Sequence, residues 1–158
     1  MGIARLGSEI AGGLRAHADG AIFKSLFRDP KSSLTAATLL AEIGDCRERY
    51  PTRDSLAADA GMSPVSIESG KRRAVVFRRG CDKRLRQAVA VLADATRHHH
   101  PWARAVYAHA VARGCDHPHA IRILGRAWLR VIHQMWVSRT PYDPDRHGSL
   151  QRLVAQGG

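Results

Sequence analysis

Apolar residues recur at helical spacing along most of this chain, and that pattern is interrupted between Met62 and Gly80. The clearest apolar face belongs to a long predicted helix near the C-terminal end, with Ile121, Leu124, Trp128, Ile132 and Met135. Within the interruption, Ser63-Pro64 and Ser69-Gly70 are typical of turns, and Ala74 to Phe77 has the character of a short strand. The sequence therefore predicts a mainly α fold, a compact helical domain with a short irregular strand or loop insertion near residues 62–80.

Local signals predict where several helices begin and end. Ser32 or Ser33 is expected to cap a helix that stops at Gly44, and Thr52 is expected to cap a short helix closed by Gly61. A further helix is expected from Pro101 to Arg113. Residues 3–17 are expected to be helical too, although two adjacent glycines weaken that helix. A length of 158 residues fits one domain.

The charge balance indicates a polyanionic partner. The chain has 25 Lys plus Arg against 14 Asp plus Glu, a formal net charge of +11, and all but four of the bases are arginine. Arginine presents a planar, permanently charged fork that suits phosphate oxygens. Nucleic acid is the usual partner of so basic a chain, and a solvated basic surface is the alternative.

Other classes of site find little support. Cys46, Cys81 and Cys115 are odd in number and far apart, which argues against a disulfide framework and fits a reducing cytoplasm. The run His98-His99-His100 points in different directions on a helix, so no metal site is expected in this chain. No apolar run is long enough for a membrane span, and a soluble cytoplasmic protein is expected.

The aromatic residues are expected to be structural. The tryptophans Trp102, Trp128 and Trp136 fall on predicted helices, so core packing is expected for at least two of them, with base stacking open for one. Tyr142 lies between two prolines just past a helix end, where a structural cap is favoured over a nucleophile.

The insertion is the place where chemistry is expected. Ser69 stands beside Gly70, whose lack of a side chain lets the backbone approach a substrate closely. Eight bases follow within sixteen residues: Lys71, Arg72, Arg73, Arg78, Arg79, Lys83, Arg84 and Arg86. Such a cluster can bind a phosphodiester and stabilise the charge that develops during attack on phosphorus. No base that would activate a serine is evident, and Glu68 is expected to be exposed or paired with an arginine. From these residues alone, a phosphate-binding loop is favoured over a nucleophile.

An ordered set of short motifs resembles a known family. The motifs are Leu39 to Asp45, Tyr50-Pro51, Leu56-Ala57, Ala60 to Pro64, Glu68 to Lys71, Arg79-Gly80, Lys83 to Ala88, Arg97-His98 with Pro101, Tyr107, Arg113-Gly114 and Thr140 to Pro144. Together they resemble the C-terminal domain of the insertion-sequence one-ten family of transposases. These serine-type enzymes include bridge-RNA-guided recombinases and are related to Piv-type DNA invertases. The resemblance covers roughly residues 34–147.

The resemblance implies DNA transposition or recombination through a serine nucleophile. By this resemblance Ser69 attacks DNA and becomes covalently attached to it, with Ser66 as the fallback, and Lys71, Arg72 and Arg73 contact the nucleic acid around the scissile phosphate. Arg84 and Arg86 on the following helix are close enough in sequence to extend this patch, and a solvated helix face is the alternative for them. Residues 1–20 then correspond to the end of a connecting helical segment, 21–147 to the transposase C-terminal domain and 148–158 to a tail. The expected partners are DNA, a guide RNA in some relatives, and a second copy or a nuclease-like domain; a nucleoid location follows.

Two departures from the family limit what is expected. The family's N-terminal nuclease-like domain, whose acidic residues bind a divalent metal, has no counterpart here, so no cofactor is expected in this chain and activity alone is not expected. The segment Arg28 to Ser33 lacks the Gly-x-Gly hairpin of relatives, which puts phosphate binding there in doubt. A non-catalytic nucleic-acid-binding module and an inactive transposase remnant are the alternative functions.

Overall fold

Helices and one antiparallel hairpin make up the regular structure of the described part of this protein. The computed structural model describes residues 2–27, 33–69, 72–77 and 81–146. The helices are α1 (Gly2–Ala16), α2 (Gly20–Lys24), α3 (Ser33–Ile43), α4 (Arg53–Asp59), α5 (Lys83–His99), α6 (Pro101–Ala112) and α7 (His117–Ser138). The hairpin strands, β1 (Pro64–Ser69) and β2 (Arg72–Phe77), lie between α4 and α5. The predicted helical domain with one strand-like insertion is therefore confirmed.

The helix ends follow the local signals in the sequence. Thr52 Oγ1 accepts a hydrogen bond from Ser55 N at 3.1 Å, and Thr52 N donates to Ser55 Oγ at 3.3 Å, which together cap α4. Gly44, Gly61 and Gly114 have φ angles of 77°, 70° and 97°, in the region that favours glycine, and each follows a helix. Helix α3 begins at Ser33, and Ser32 lies outside the described residues.

The longest helix, α7, packs against α4, α5 and α6 and carries much of the core. All five residues of its predicted apolar face are buried. At the centre, the rings of Trp128 and Trp102 meet edge to face with centroids 4.9 Å apart. The Trp128 indole donates to Thr96 Oγ1 at 2.9 Å, so its polar atom is satisfied inside the core. Because Trp102, Trp128 and Trp136 are all at most 2% exposed, core packing is confirmed and none presents a face for base stacking.

A buried ion pair joins the N-terminal helices to the rest of the body. Asp19, between α1 and α2, accepts from Arg47 Nη1 at 2.7 Å and Nη2 at 2.9 Å. Arg47 Nε donates to the carbonyl of Trp136 at 3.1 Å, and its guanidinium lies 5.0 Å from the centre of that ring. The Asp19 side chain is 4% exposed and that of Arg47 is 18% exposed. The hydrogen bond and charge of Arg47 outweigh burial and lower the pKa of Asp19.

Two features differ from what the sequence favours locally. Helix α1 runs through Gly12 and Gly13 without a break, because it packs against α3 and buries Leu14 in the core. The insertion contains two strands rather than the single strand expected at residues 74–77, since Pro64–Ser69 pairs along its whole length with β2. Pro64 is the first residue of its strand, a position that tolerates proline.

Within the described part of the chain, no helix is both long and apolar enough to cross a membrane.

Candidate nucleic-acid interface

The hairpin carries the candidate nucleophile at the end of its first strand. Ser69 is the last residue of β1 and pairs with Arg72, the first residue of β2, and Glu68 pairs with Arg73. Positions along a strand alternate between its two faces, so Ser69 and Ser66 belong to opposite faces of the hairpin. Ser69 thus shares a cross-strand position with one of the predicted phosphate-binding arginines, whereas Ser66 pairs with Val75. Gly70, Lys71, Arg78 and Arg79 lie outside the described residues.

Both ends of the hairpin are fixed to the C-terminal end of α4. Met62 N donates to the carbonyl of Ala57 at 2.9 Å, and Asp82 N donates to the carbonyl of Asp59 at 2.8 Å. Gly61 adopts a positive φ, and a Cβ atom there would lie 2.8 Å from Cys81 Sγ. The chain therefore leaves the helical body and returns to it at neighbouring points, and a larger residue at position 61 would force them apart.

The remaining predicted bases stand on the first turns of α5. Asp82 Oδ1 accepts from Leu85 N at 3.0 Å and caps the helix. Lys83 and Arg84 are exposed and Arg86 is partly buried. The Arg86 Cδ atom lies 3.3 Å from the Cβ position of Gly61, so its aliphatic stem crosses the root of the hairpin. The structure thus places these three bases at the root of the hairpin and Arg72 at its far end.

Carboxylates gather at the same root. Hydrogen bonding to Asp82 raises the pKa of Glu42 on α3, with burial and repulsion acting in the same direction. Burial opposes the ionisation of Asp82, but hydrogen bonds from Leu85 N and Glu42 outweigh it and lower the pKa of Asp82. The two carboxyl groups therefore titrate as an interacting pair. Burial, reinforced by a hydrogen bond to Asp59, raises the pKa of Tyr50.

These carboxylates are far from Ser69. Five residue steps separate Pro64 from Ser69, and a strand rises about 3.3 Å per residue, so the serine lies roughly 17 Å along β1 from the root. A general base must be within hydrogen-bond reach of the proton it removes. Glu42, Asp59 and Asp82 therefore do not meet that requirement, and the base that Ser69 needs is not supplied by the root of the hairpin.

Residues 32–108 match the model of the transposase IS116/IS110/IS902 family. This segment is similar to a domain of that family. It begins just before α3 and ends within α6, so it contains α3, α4, the hairpin and α5. Ser69 and all eight predicted bases fall inside the matched segment.

Two streptomycete proteins of insertion elements are similar to this chain. A protein of Streptomyces coelicolor described as a transposase of the mini-circle IS117 is 31% identical over 141 residues, which cover 89% of this chain. An uncharacterised 43.6 kDa protein of insertion element IS110 from the same organism is 33% identical over 110 residues, 69% of this chain. The matched regions amount to 34% and 27% of the two relatives, so this chain spans about a third of their length or less.

The histidines near the end of α5 and Tyr142 have structural roles in the described part of the chain. His98 and His99 are exposed, and His100 caps α6 and contacts the Tyr142 hydroxyl at 2.7 Å. Tyr142 N also donates to Ser25 Oγ at 2.7 Å, which fits the structural cap expected of it. Among the residues the structure describes, no group of three or more His, Cys, Asp and Glu side chains is arranged to hold a metal ion.

A second basic site was not expected from the sequence. A cleft of about 360 Å³ between α6 and α7, the α6–α7 cleft, is lined by Trp102, Val106, His109, Arg113, Ile123, Arg126, Ala127 and Arg130. Arg126 and Arg130 are four residues apart, a spacing that places them on one side of α7. That spacing is readable from the sequence, but the convergence of α6 on α7 is not.

Proposed function

We propose that this chain acts in DNA transposition as the part of a transposase that attacks and rejoins DNA strands, with Ser69 as the nucleophile. The observation that carries the proposal is the place of Ser69 in a transposase-family segment, at the end of a hairpin and paired with Arg72. A net charge of +11 supports a polyanionic substrate.

The proposed reaction conserves the phosphodiester. Ser69 Oγ loses its proton to a base and attacks a DNA phosphorus, forming a serine–phosphate bond as the bond to one deoxyribose oxygen breaks; that oxygen takes up a proton. The hydroxyl of a second DNA end then loses its proton, attacks the same phosphorus and forms the new sugar–phosphate bond. The serine–phosphate bond breaks, and Ser69 Oγ takes up a proton. No ATP is required, because the number of phosphoester bonds is unchanged. Arg72 and its basic neighbours stabilise the charge on the phosphoryl oxygens.

The base is proposed to come from outside this chain. The carboxylates of the helical body lie roughly 17 Å along β1 from Ser69. The chain spans only about a third of its IS117 relative. We therefore expect a composite site in which a nuclease-like domain or a second copy of this chain supplies the base. The nuclease-like domain would hold the divalent metal. The same separation favours a second function for the chain acting by itself, which is nucleic-acid binding without chemistry.

The decisive experiment looks for a covalent protein–DNA adduct on a nicked suicide substrate. The protein is tested alone, and as a chimera in which it replaces the matched third of the IS117 relative. Ser69→Ala is compared with Ser66→Ala, a matched serine on the other face of the hairpin. We expect the chimera to form an adduct that Ser69→Ala abolishes and Ser66→Ala retains.

An adduct that survives Ser69→Ala would refute the assignment of the nucleophile. DNA binding by the chimera with no adduct in any variant would favour the non-catalytic binding module instead. Arg72→Gln should slow adduct formation by roughly a hundred- to a thousandfold if Arg72 stabilises the transition state, which is the effect of losing one such donor in other enzymes. Weaker DNA binding at an unchanged rate of attack would place Arg72 in binding alone.

A further inference from the structure

The α6–α7 cleft combines an apolar floor with a cationic rim. Val106 and Ile123 contribute to the floor, where Trp102 is 2% exposed. The charged lining residues are Arg113, Arg126 and Arg130, joined by His109 when it is protonated. None of the residues that line this cleft is acidic. A cleft with such a lining favours an anion over a neutral ligand.

The arginines at this cleft are poorly neutralised by the described part of the protein. Arg126 and Arg130 are one helical turn apart, and like charges at this spacing destabilise a helix. Burial lowers the pKa of Arg130, and the nearby charges of Arg53 on α4 and Arg126 act in the same direction. The Arg126 Nε atom is buried and has no hydrogen-bond partner among the described residues.

The nearest counter-charge is weak. Asp54 Oδ1 lies 3.8 Å from Arg126 Nη2, and the Asp54 side chain is 70% exposed. An exposed ion pair at this separation contributes little stabilisation. Arg53, Arg126 and Arg130 therefore bring three positive charges together beside one solvated carboxylate, an arrangement that a bound anion would relieve.

The shape of the cleft narrows the choice of anion. The Trp102 ring is covered, so a base cannot stack on it, and the available donors are the guanidinium groups of the rim. Arginine forks match phosphate oxygens, and successive arginines on one face of α7 are about 6 Å apart along the helix. A repeating phosphate backbone fits this rim better than a single small anion does.

We infer that the α6–α7 cleft and the adjoining Arg53 form a second DNA-binding site, which grips the phosphate backbone away from the hairpin that carries Ser69. The identity of the polyanion as DNA rests on the proposed function, whereas the cleft itself rests on the contacts described above. The site positions DNA without reading its sequence, since its donors face phosphates rather than base edges.

The test measures how DNA affinity depends on salt. Binding of a fluorescent 20-base-pair duplex is followed by anisotropy over a range of KCl concentrations, and log Kd is plotted against log salt concentration. Each phosphate contact contributes about 0.9 to the slope. We expect the double variant Arg126→Gln/Arg130→Gln to reduce the slope by nearly 2. The control Arg15→Gln/Arg104→Gln removes two exposed arginines that do not line the cleft and should leave the slope unchanged.

A second measurement does not depend on the variants folding. The indole N–H resonances of the wild-type protein are recorded by NMR as the duplex is added. We expect the Trp102 signal to shift, because Trp102 lines the cleft, and the Trp136 signal to stay, because its indole donates to the Gly44 carbonyl at a different place. An unchanged slope in the double variant together with an unmoved Trp102 signal would overturn the inference.

Two further outcomes separate this inference from the proposed function. If no adduct forms with Ser69 present but the double variant still flattens the salt dependence, the cleft stands and the catalytic proposal fails. If the adduct forms and the cleft variant binds DNA with the wild-type slope, the cleft alone fails. Preferential binding of an RNA duplex, or of an acidic peptide that shifts the Trp102 signal when DNA does not, would overturn the assignment to DNA.

Discussion

Removing one partner of the Asp19–Arg47 ion pair should destabilise the protein strongly. The Asp19 side chain is 4% exposed, and in Arg47→Met its carboxylate would lose two hydrogen bonds of 2.7 Å and 2.9 Å. The carbonyl of Trp136 would lose a donor as well. Breaking a buried pair from one side typically costs about 3–5 kcal/mol. Because Arg47 is 18% exposed and water can reach part of the site, we expect a loss near the lower end, about 3 kcal/mol.

The assay is urea denaturation followed by tryptophan fluorescence, with Arg5→Gln as the control. The Arg5–Glu9 pair has a similar distance, 3.1 Å, but side chains that are 78% and 62% exposed. Its loss should change the free energy of unfolding by less than about 0.5 kcal/mol. If the free energy of unfolding of Arg47→Met is within about 1 kcal/mol of the wild-type value, burial does not make this ion pair important for stability.

The same pair predicts a pH dependence with a definite sign. The pKa of Asp19 is lowered in the folded protein, so its contribution to stability is present above the unfolded value of about 3.9 and is lost as the pH falls through the lower folded value. The stability difference between wild type and Asp19→Asn should therefore be constant from pH 7 to about pH 5 and shrink in more acid solution. A difference that grows on acidification would contradict the assigned direction.

Three further predictions concern single substitutions, each measured by the same denaturation assay. Gly20→Ala should lower the free energy of unfolding by at least about 3 kcal/mol, the upper end of the usual cost of overpacking, because its Cβ would lie 1.6 Å from the Leu14 carbonyl oxygen. A smaller loss would mean that the turn between α1 and α2 shifts easily. Glu42→Gln should stabilise the protein by up to about 1 kcal/mol at pH 7 and by less in acid solution, because the hydrogen bond to Asp82 raises the pKa of Glu42 and an uncharged side chain keeps that bond as the pH rises. An equal gain in stability at both pH values would refute the direction of that shift. Arg130→Gln should raise the free energy of unfolding by about 0.3–0.5 kcal/mol at low salt and by less at high salt, because it removes repulsion from Arg53 and Arg126. A loss of stability would show that the charge of Arg130 is already neutralised.

The helical part of the fold could be predicted from local signals. Gly44, Gly61 and Gly114 end helices in the structure, and Thr52 begins one, because capping depends on residues within a few positions of each other. Helix α1 was the weakest of these predictions, since two glycines reduce its own propensity and its stability comes from packing on α3.

The candidate sites could be predicted only in part. Composition and the Ser69-Gly70 context indicated the hairpin, but the role of Ser69 came from a family resemblance and stays a prediction. The pairing of Ser69 with Arg72 needed the register of the two strands. The basic cleft could not be predicted from the sequence because the charge of Arg53 comes near Arg130 only through the packing of α4 against α7, which brings together residues more than seventy positions apart.

The neighbouring ends of the hairpin have a consequence for how such domains can change. The chain leaves the helical body at Met62 and returns at Asp82, and both residues are hydrogen-bonded to the C-terminal end of α4. The segment between them is therefore an insertion in a helical domain. The two strands can become longer or shorter, or be replaced by those of a relative, while the distance between the two ends of the hairpin stays the same. The segment that carries the proposed nucleophile can therefore vary in sequence and length while the helices that form the core stay the same.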